Sequence, residues 1–353
     1  MKKIFVIAMA VMLIFALMAP ASVALAAKPG GQPEMVKERI ILAADHHLFL
    51  QGAYDSYWGP PKIDNTWEWV IGTGWTGPNV QGISATGLLA AYERIGNTLY
   101  LDGAIAAGDT MVARYNAAPS QRTWSQDIEF LMRLSQDSGD DAYADIARSW
   151  YANTVDAFTA EGLADYYIDI RKSLAGWDLA SQIRAALAVE NVEYATGMAS
   201  RLIERRADWE GVPYTGLDYT ISSYASLLWA FAELDNNDFN GYIGEIRDAL
   251  LDAQGDDGSW DGGDQQSTAY AILGLDADGT AKGAQDKAWA FLRDTQNSAG
   301  GWETPGGEYG EVNSEVIMAL SALDLKGLKA GFTDPQPNRG RDLGKHKLDP
   351  MTP

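Results

Sequence analysis

Cysteine is absent from the 353-residue chain, histidine occurs three times, and basic residues are outnumbered, 27 Lys and Arg against 48 Asp and Glu. Without cysteine there are no disulfide staples, no thiolate nucleophile and no Cys-ligated zinc, so a hydrophobic core has to hold the fold together. The formal net charge of −21 repels nucleic acid and anionic lipid, which removes DNA, RNA and acidic membranes from the expected partners. Strand-type alternation is also missing, and after the N-terminal segment no run is apolar enough to span a bilayer.

What is present begins with MKKIFVIAMAVMLIFALMAPASVALAAKPGG, in which two lysines precede an apolar run, the helix breaker Pro20 and the small-x-small pattern Ala24-Leu25-Ala26. These are the parts of a secretory signal, here assigned to residues 1–26 with cleavage after Ala26 or Ala27, followed by a flexible lead over 27–34. An uncleaved anchor is the competing reading, and the shortness of the apolar run over 4–19 argues against it. Loss of Lys2 and Lys3 takes the net charge from −21 to −23 in the exported chain, which is expected to be secreted or held at the cell surface. At the other end, residues 326–353 read as a flexible tail; from Asp334 onward it carries five basic residues, counting His346, against three acidic ones.

Between 35 and 325 apolar periodicity near 3.6 dominates. Six segments are charged on one face, at 35–50, 99–115, 140–158, 191–206, 241–253 and 283–295. Six others are rich in Ala, Ser, Leu and Tyr with few charges past the first turn, at 81–95, 125–134, 178–189, 218–234, 265–275 and 311–323. The two kinds alternate strictly. A helix that is apolar nearly all round must be covered on every side, whereas an amphipathic one belongs outside. The alternation therefore predicts one all-α domain, an (α/α)6 toroid of outer and inner helices. The inner starts are 44, 53, 40, 47 and 46 residues apart, the rhythm of helical-hairpin repeats. An open solenoid is the alternative; six hairpins complete a ring.

Two turns repeat each other, QGDDGSW at 254–260 and QNSAGGW at 296–302. Leu250-x3-Gln254-x3-Gly258-x-Trp260 and Leu292-x3-Gln296-x3-Gly300-x-Trp302 share one pattern. Its glycine lets the chain reverse, its Gln amide can satisfy backbone groups at a helix end, and its Trp can cover the junction between hairpins. The pattern resembles the QW motif of the prenyltransferase and squalene-oxidase repeat, found in the terpenoid cyclase and protein prenyltransferase α/α-toroid superfamily. The resemblance implies the toroid and leaves the chemistry open. The Asp-x-Asp-Asp acid of triterpene cyclases is absent, and DSGDD at 137–141 reads as a polar loop. The prenyltransferase zinc set of Asp, Cys and His cannot be assembled from a chain whose histidines are His46, His47 and His346. His46 and His47, being adjacent, face different sides of a helix. Isoprenoid handling is thus the third reading. The same toroid is also found in extracellular polysaccharide lyases and glycosidases, a likeness of fold alone.

In such a toroid the loops before the inner helices gather at one mouth, which makes the first turns of those helices the expected site. Five of the six starts carry an acid, namely Asp127, Asp178, Asp218, Asp264 and Glu311, and aromatic residues stand beside them. Capping alone accounts for acid at a helix N-terminus. Crowded like charges, however, raise one another's pKa and can leave one carboxyl protonated beside a carboxylate, the pair that glycoside cleavage needs. Asp218 and Asp264 are the expected pair, with Asp178 third. Trp177, Tyr219 and Trp260 are the expected sugar platforms and Gln265, Gln266 and Asn313 the hydroxyl-binding groups, with Glu311, Asp127, Trp124 and Trp75 completing the substrate-binding set. A lyase version would use Ca2+ held by the acid ring. A second calcium pattern at 236–245, with Asn236, Asp238 and Asn240 at EF-hand-like spacing, has Arg247 where the decisive Glu should stand. The expected function is a secreted glycoside hydrolase or polysaccharide lyase acting on a polysaccharide; the alternative is a non-catalytic extracellular module binding a glycan or protein.

Overall fold

The structure is a computed structural model that describes residues 32–304 and 306–323. The expected signal over 1–26 and the tail over 326–353 lie outside the described residues. In chain order the helices are α1 (Gln32–Phe49), α2 (Pro78–Ile95), α3 (Thr98–Ala117), α4 (Ser125–Ser138), α5 (Asp141–Ala157), α6 (Ala160–Arg171), α7 (Ala175–Ala188), α8 (Val192–Glu204), α9 (Thr220–Leu234), α10 (Asn240–Asp252), α11 (Gln265–Ala277), α12 (Lys282–Thr295) and α13 (Gly310–Ala322). No helix among the described residues is long and apolar enough to cross a membrane.

The two sequence classes become two layers. Every residue of α2 from Val80 to Ala91 is buried, as a helix enclosed on all sides requires. In α8 the buried residues are Tyr194, Ala195, Met198, Ala199 and Leu202, a single face. The all-round apolar helices α2, α4, α7, α9, α11 and α13 pack each on the next, and α13 packs back on α2, so the ring is closed. At the closing contact Gly87 of α2 lies so near Ser314 of α13 that a Cβ would collide with the hydroxyl. Gly87 donates its N–H to Ser314 Oγ at 2.9 Å, and that hydroxyl donates to the Ile83 carbonyl at 2.6 Å. The fold is therefore the α/α toroid that the alternation implies.

The repeated Gln-Gly-Trp turns act as clasps between hairpins. Trp260 is fully buried and donates Nε1 to the Leu250 carbonyl at 2.6 Å, and Trp302 does the same to Leu292 at 2.8 Å. Gln254 donates to the carbonyls of Gly258 and of Ala284 in the following outer helix α12. Gln296 donates to Gly300 and to Arg39 of α1, so the second copy fastens the last hairpin to the first helix.

Two features depart from the sequence expectation. A further helix, α6, packs on α7 and α8 within the 53-residue interval, the longest between inner starts. Its N-cap Thr159 accepts from Gly162 N–H at 3.1 Å. Short strands are also present, β1 (Gly52–Ser56), β2 (Ile63–Thr66) and β3 (Trp75–Thr76) in one sheet and β4 (Glu303–Thr304) with β5 (Gly307–Glu308) in another. β1 pairs antiparallel with β2 and parallel with β3, and β2 rests on α2 and α3. Strands of two to five residues are too short for alternation to register.

Candidate active site

The inner helices share one direction, and their N-terminal ends open on a mouth whose rim is the loop between β2 and β3. Glu68 shapes this loop from inside, its carboxylate accepting the N–H groups of Gly72 and Gly74. Gly310 N–H bonds the Trp69 carbonyl at 3.2 Å and Ile71 N–H the Glu308 carbonyl at 2.8 Å, which pins the loop to the start of α13. The loop thereby presents Trp69 and Trp75 with partly exposed rings. Tyr57 meets Trp69 edge-on and stacks on Trp75, both at 5.7 Å, while its neighbour Trp58 stacks on Trp124 at 5.6 Å. An aromatic wall thus runs over the arc from α13 across α2 to α4, and all five rings keep solvent-facing surface. Flat exposed rings of this kind are poor core material and good contact surface for the apolar faces of a ligand.

Beneath this wall stand two acids on successive turns of α13. Glu311 accepts a hydrogen bond from Trp69 Nε1 at 3.0 Å. Glu315, only 3% exposed, accepts from Gln266 Nε2 at 2.8 Å and from the Tyr270 hydroxyl at 3.0 Å, both on α11. Burial raises the pKa of both carboxyls. Glu315 is pushed well above the ordinary range, because the charges of Glu311 and Asp264 add to the burial, while the indole N–H favours the ionised form of Glu311. Both pKa values are thus raised, and that of Glu315 has the additional push of neighbouring carboxylates, an asymmetry of the kind that acid and base chemistry uses. Trp177 of α7 reaches across the lumen to meet Tyr270 at 4.6 Å and completes the floor.

Each residue expected from the sequence has a definite place. Asp218 is exposed and accepts from Thr220 N–H and Oγ1, a local turn at the rim. Asp264 caps α11 by accepting from Ser267 N–H at 2.7 Å, near enough to Glu315 to act on it by charge alone. Each makes its hydrogen bonds within its own turn. Asp178 is ion-paired with Arg171 of α6 at 3.1 Å, and burial outweighs that pairing to lift its pKa to about 6. Asp127 is fully buried against Arg114 and Thr123, a structural ion pair with no face toward the mouth. Trp260 is enclosed in its clasp and offers no platform. Gln265 is buried and donates to the Glu303 carbonyl at 3.3 Å, and Asn313 binds Glu308 and the Trp302 N–H. These three hold loops rather than line the opening. Tyr219 lies beside Tyr214 at the far rim, 6.4 Å between ring centres. Gln266 and Glu311 belong to the α13 acid cluster, Trp177 packs on its Tyr270, and Trp124 and Trp75 stand in the aromatic wall.

Sequence reasoning passed over Glu315, Tyr270, Trp69, Tyr57 and Trp58. A signal for the first was present, since a carboxylate in the second turn of an otherwise apolar inner helix caps nothing. Among the described residues no group of three or more His, Asp or Glu side chains gathers as a metal-binding cluster, so the acid ring expected for Ca2+ has no such donor set.

No protein-family model matches the chain, and no curated protein matches it in sequence. Solved structures do match in shape. The GH76A alpha-1,6-mannanase from Salegentibacter sp. HEL1_6 superposes with a TM-score of 0.56 at 13% identity, over 81% of this chain and 98% of that one. An unsaturated glucuronyl hydrolase specific for heparin matches with a TM-score of 0.55 at 11% identity, over 82% and 96%. A polysaccharide lyase matches at 0.51 and 11%, over 82% and 96%. At such identities the likeness is one of fold, the α/α toroid used by these carbohydrate-active enzymes.

Proposed function

We propose that the chain is an exported carbohydrate-active enzyme, a glycoside hydrolase that cleaves a neutral polysaccharide at the α13 acid pair. The observation that carries this reading is the arrangement of Glu311 one helical turn from the buried Glu315, whose pKa burial and neighbouring carboxylates raise, beneath an aromatic wall. A sugar ring seated against Trp69 would bring its glycosidic oxygen down to Glu315. Glu315 gives its proton to the departing oxygen as the C–O bond breaks, and the Glu311 carboxylate takes a proton from a water molecule whose oxygen bonds to the anomeric carbon, leaving two hydroxyl ends.

The electrostatics of the mouth favour an uncharged substrate. Its nearby guanidiniums are engaged, Arg171 by Asp178 and Arg114 by Asp127, which leaves the acids to repel a uronate chain. This weighs against the lyase version. The structural neighbours support the broader reading, since inactive variants of the mannanase are described in complex with alpha-1,6-mannotriose and alpha-1,6-mannotetrose. The polar, acid-bearing starts of the inner helices count against an apolar cavity for isoprenoids. The resemblance of the clasps to the QW repeat we retain as a proposal about ancestry.

The test is to incubate the purified chain with neutral and uronic-acid polysaccharides and follow reducing ends together with the absorbance of unsaturated products. Reducing ends alone, lost in Glu315→Gln, support the proposal. Unsaturated product would replace it with a lyase, and binding without cleavage would replace it with the non-catalytic module.

A further inference from the structure

We infer that the opposite end of the barrel holds a second, separate binding pocket, built for a short neutral oligosaccharide. A cavity of about 590 Å³ lies there, lined by all six inner helices, mostly from their C-terminal halves, with Ile83 and Thr86 of α2 and Gln126 and Glu129 of α4 added from N-terminal halves. That volume lies within the range of about 300–1,000 Å³ typical of small-molecule sites. The cavity is divided from the acid pair by a septum across the lumen. Tyr270, which binds Glu315 on one side, has Trp229 on the other at 6.5 Å, and Trp177 packs on it. Trp229 lines the cavity, whereas Tyr270 and Trp177 do not.

The chemistry of the lining selects the ligand class. Arg184 lies flat over the Trp229 ring at 3.3 Å, donates Nε to Glu129 at 2.8 Å and faces Glu233 at 3.9 Å. Arg133 binds Glu93 through two bonds of 2.9 and 2.8 Å. These five charges are paired in place, Arg94 donates to the Leu323 carbonyl at 2.9 Å and Asp276 is not without a partner, so a charged ligand would have to break an existing interaction to enter. A guanidinium has five N–H donors and a carboxylate about four acceptor sites, so each pair retains bonding capacity on its open side. Fixed donors and acceptors in close alternation match vicinal hydroxyls. Gln126, Thr86 and Gln136 add neutral groups, while Met132, Leu187, Leu273 and Met318 supply apolar surface for the C–H faces of a sugar. Glu93, Gln136 and Ala277 stand exposed at the opening, which gives solvent-side access.

The test is calorimetric titration with three neutral trisaccharides, alpha-1,6-mannotriose, cellotriose and xylotriose, using Glu315→Gln to prevent turnover. Two variants close the cavity in that background: Ala188→Trp fills its wall, and Ala277→Trp obstructs its exposed rim with no change in buried volume. Thermal midpoints verify that each folds, and the rim variant keeps the test valid if the wall variant does not. The expected result is a trisaccharide site whose affinity falls at least tenfold in Ala277→Trp and persists in Trp69→Ala. Binding equal in Ala277→Trp and its parent, no binding of any trisaccharide, or tighter binding at this site of tri-galacturonate or tri-glucosamine would each overturn the inference. These outcomes do not depend on whether the other mouth cleaves glycans, which the reducing-end assay decides separately.

Discussion

At the N-terminal end of the inner ring carboxyls face carboxyls, Glu315 beneath Glu311 and within the field of Asp264. In the second cavity they face guanidiniums, Glu129 in the second turn of α4 with Arg184, and Glu93 with Arg133. The same six helices build both ends, so helix packing does not make the difference. The difference lies in the side chains chosen past the first turn, where a carboxylate is left beside carboxylates in one case and given an arginine in the other. An end that tolerates unpaired acids can store a proton and use it. An end whose charges are matched can hold a polar molecule without reacting with it.

Four substitutions break or sharpen this contrast. Glu315→Gln removes the stored proton, and the hydrolysis rate is expected to fall by about 10²–10⁴ with the fold intact, measured by reducing-end release alongside circular dichroism. The sign of the pH dependence follows from the raised pKa: the wild type loses activity as pH rises through the Glu315 ionisation, since the acid must be protonated, and loses it again at low pH as Glu311 protonates. Asp127→Ala tests whether an acid at the same end can be purely structural. It leaves Arg114 without its buried partner and is expected to cost about 3–5 kcal/mol in denaturant unfolding, with kcat per folded molecule unchanged. Trp69→Ala takes away one stacking face and the Glu311 hydrogen bond, and KM is expected to rise roughly tenfold, in keeping with about 1.5 kcal/mol for an aromatic contact. Asp218→Ala, at an exposed turn, is expected to alter stability by no more than about 0.5 kcal/mol and activity not at all. A large activity loss in Asp218→Ala would return the site to the far rim.

The toroid was legible because burial on all sides leaves a compositional trace: α2 and α13 carry apolar or small residues round most of their circumference, whereas α6, inserted in the longest interval between inner starts, went unread. The site was half legible. Acids in first turns attracted notice, yet Asp264 and Asp218 serve local backbone and Asp127 an ion pair, because the N-terminal turn recruits carboxylates whatever the function. The charges that matter at both ends, Glu315, Glu129 and Arg184, lie past the first turn of inner helices, where no cap needs them and burial costs most. Tryptophan was ambiguous for another reason. Trp260 and Trp302 sit in clasps with no exposed face, while Trp69 and Trp75 stand in a loop whose shape depends on Glu68, and only the fold separates them.

The clasp from Gln296 to Arg39 joins residues 257 positions apart. The ring closes through α13 and α2, and α1 lies across that seam, touching both. Displaced from it, α1 would leave on the last hairpin a groove of fixed register, the same in every copy. Two unfinished rings can exchange first helices and close on each other, a reciprocal dimer that needs no contact foreign to the monomer.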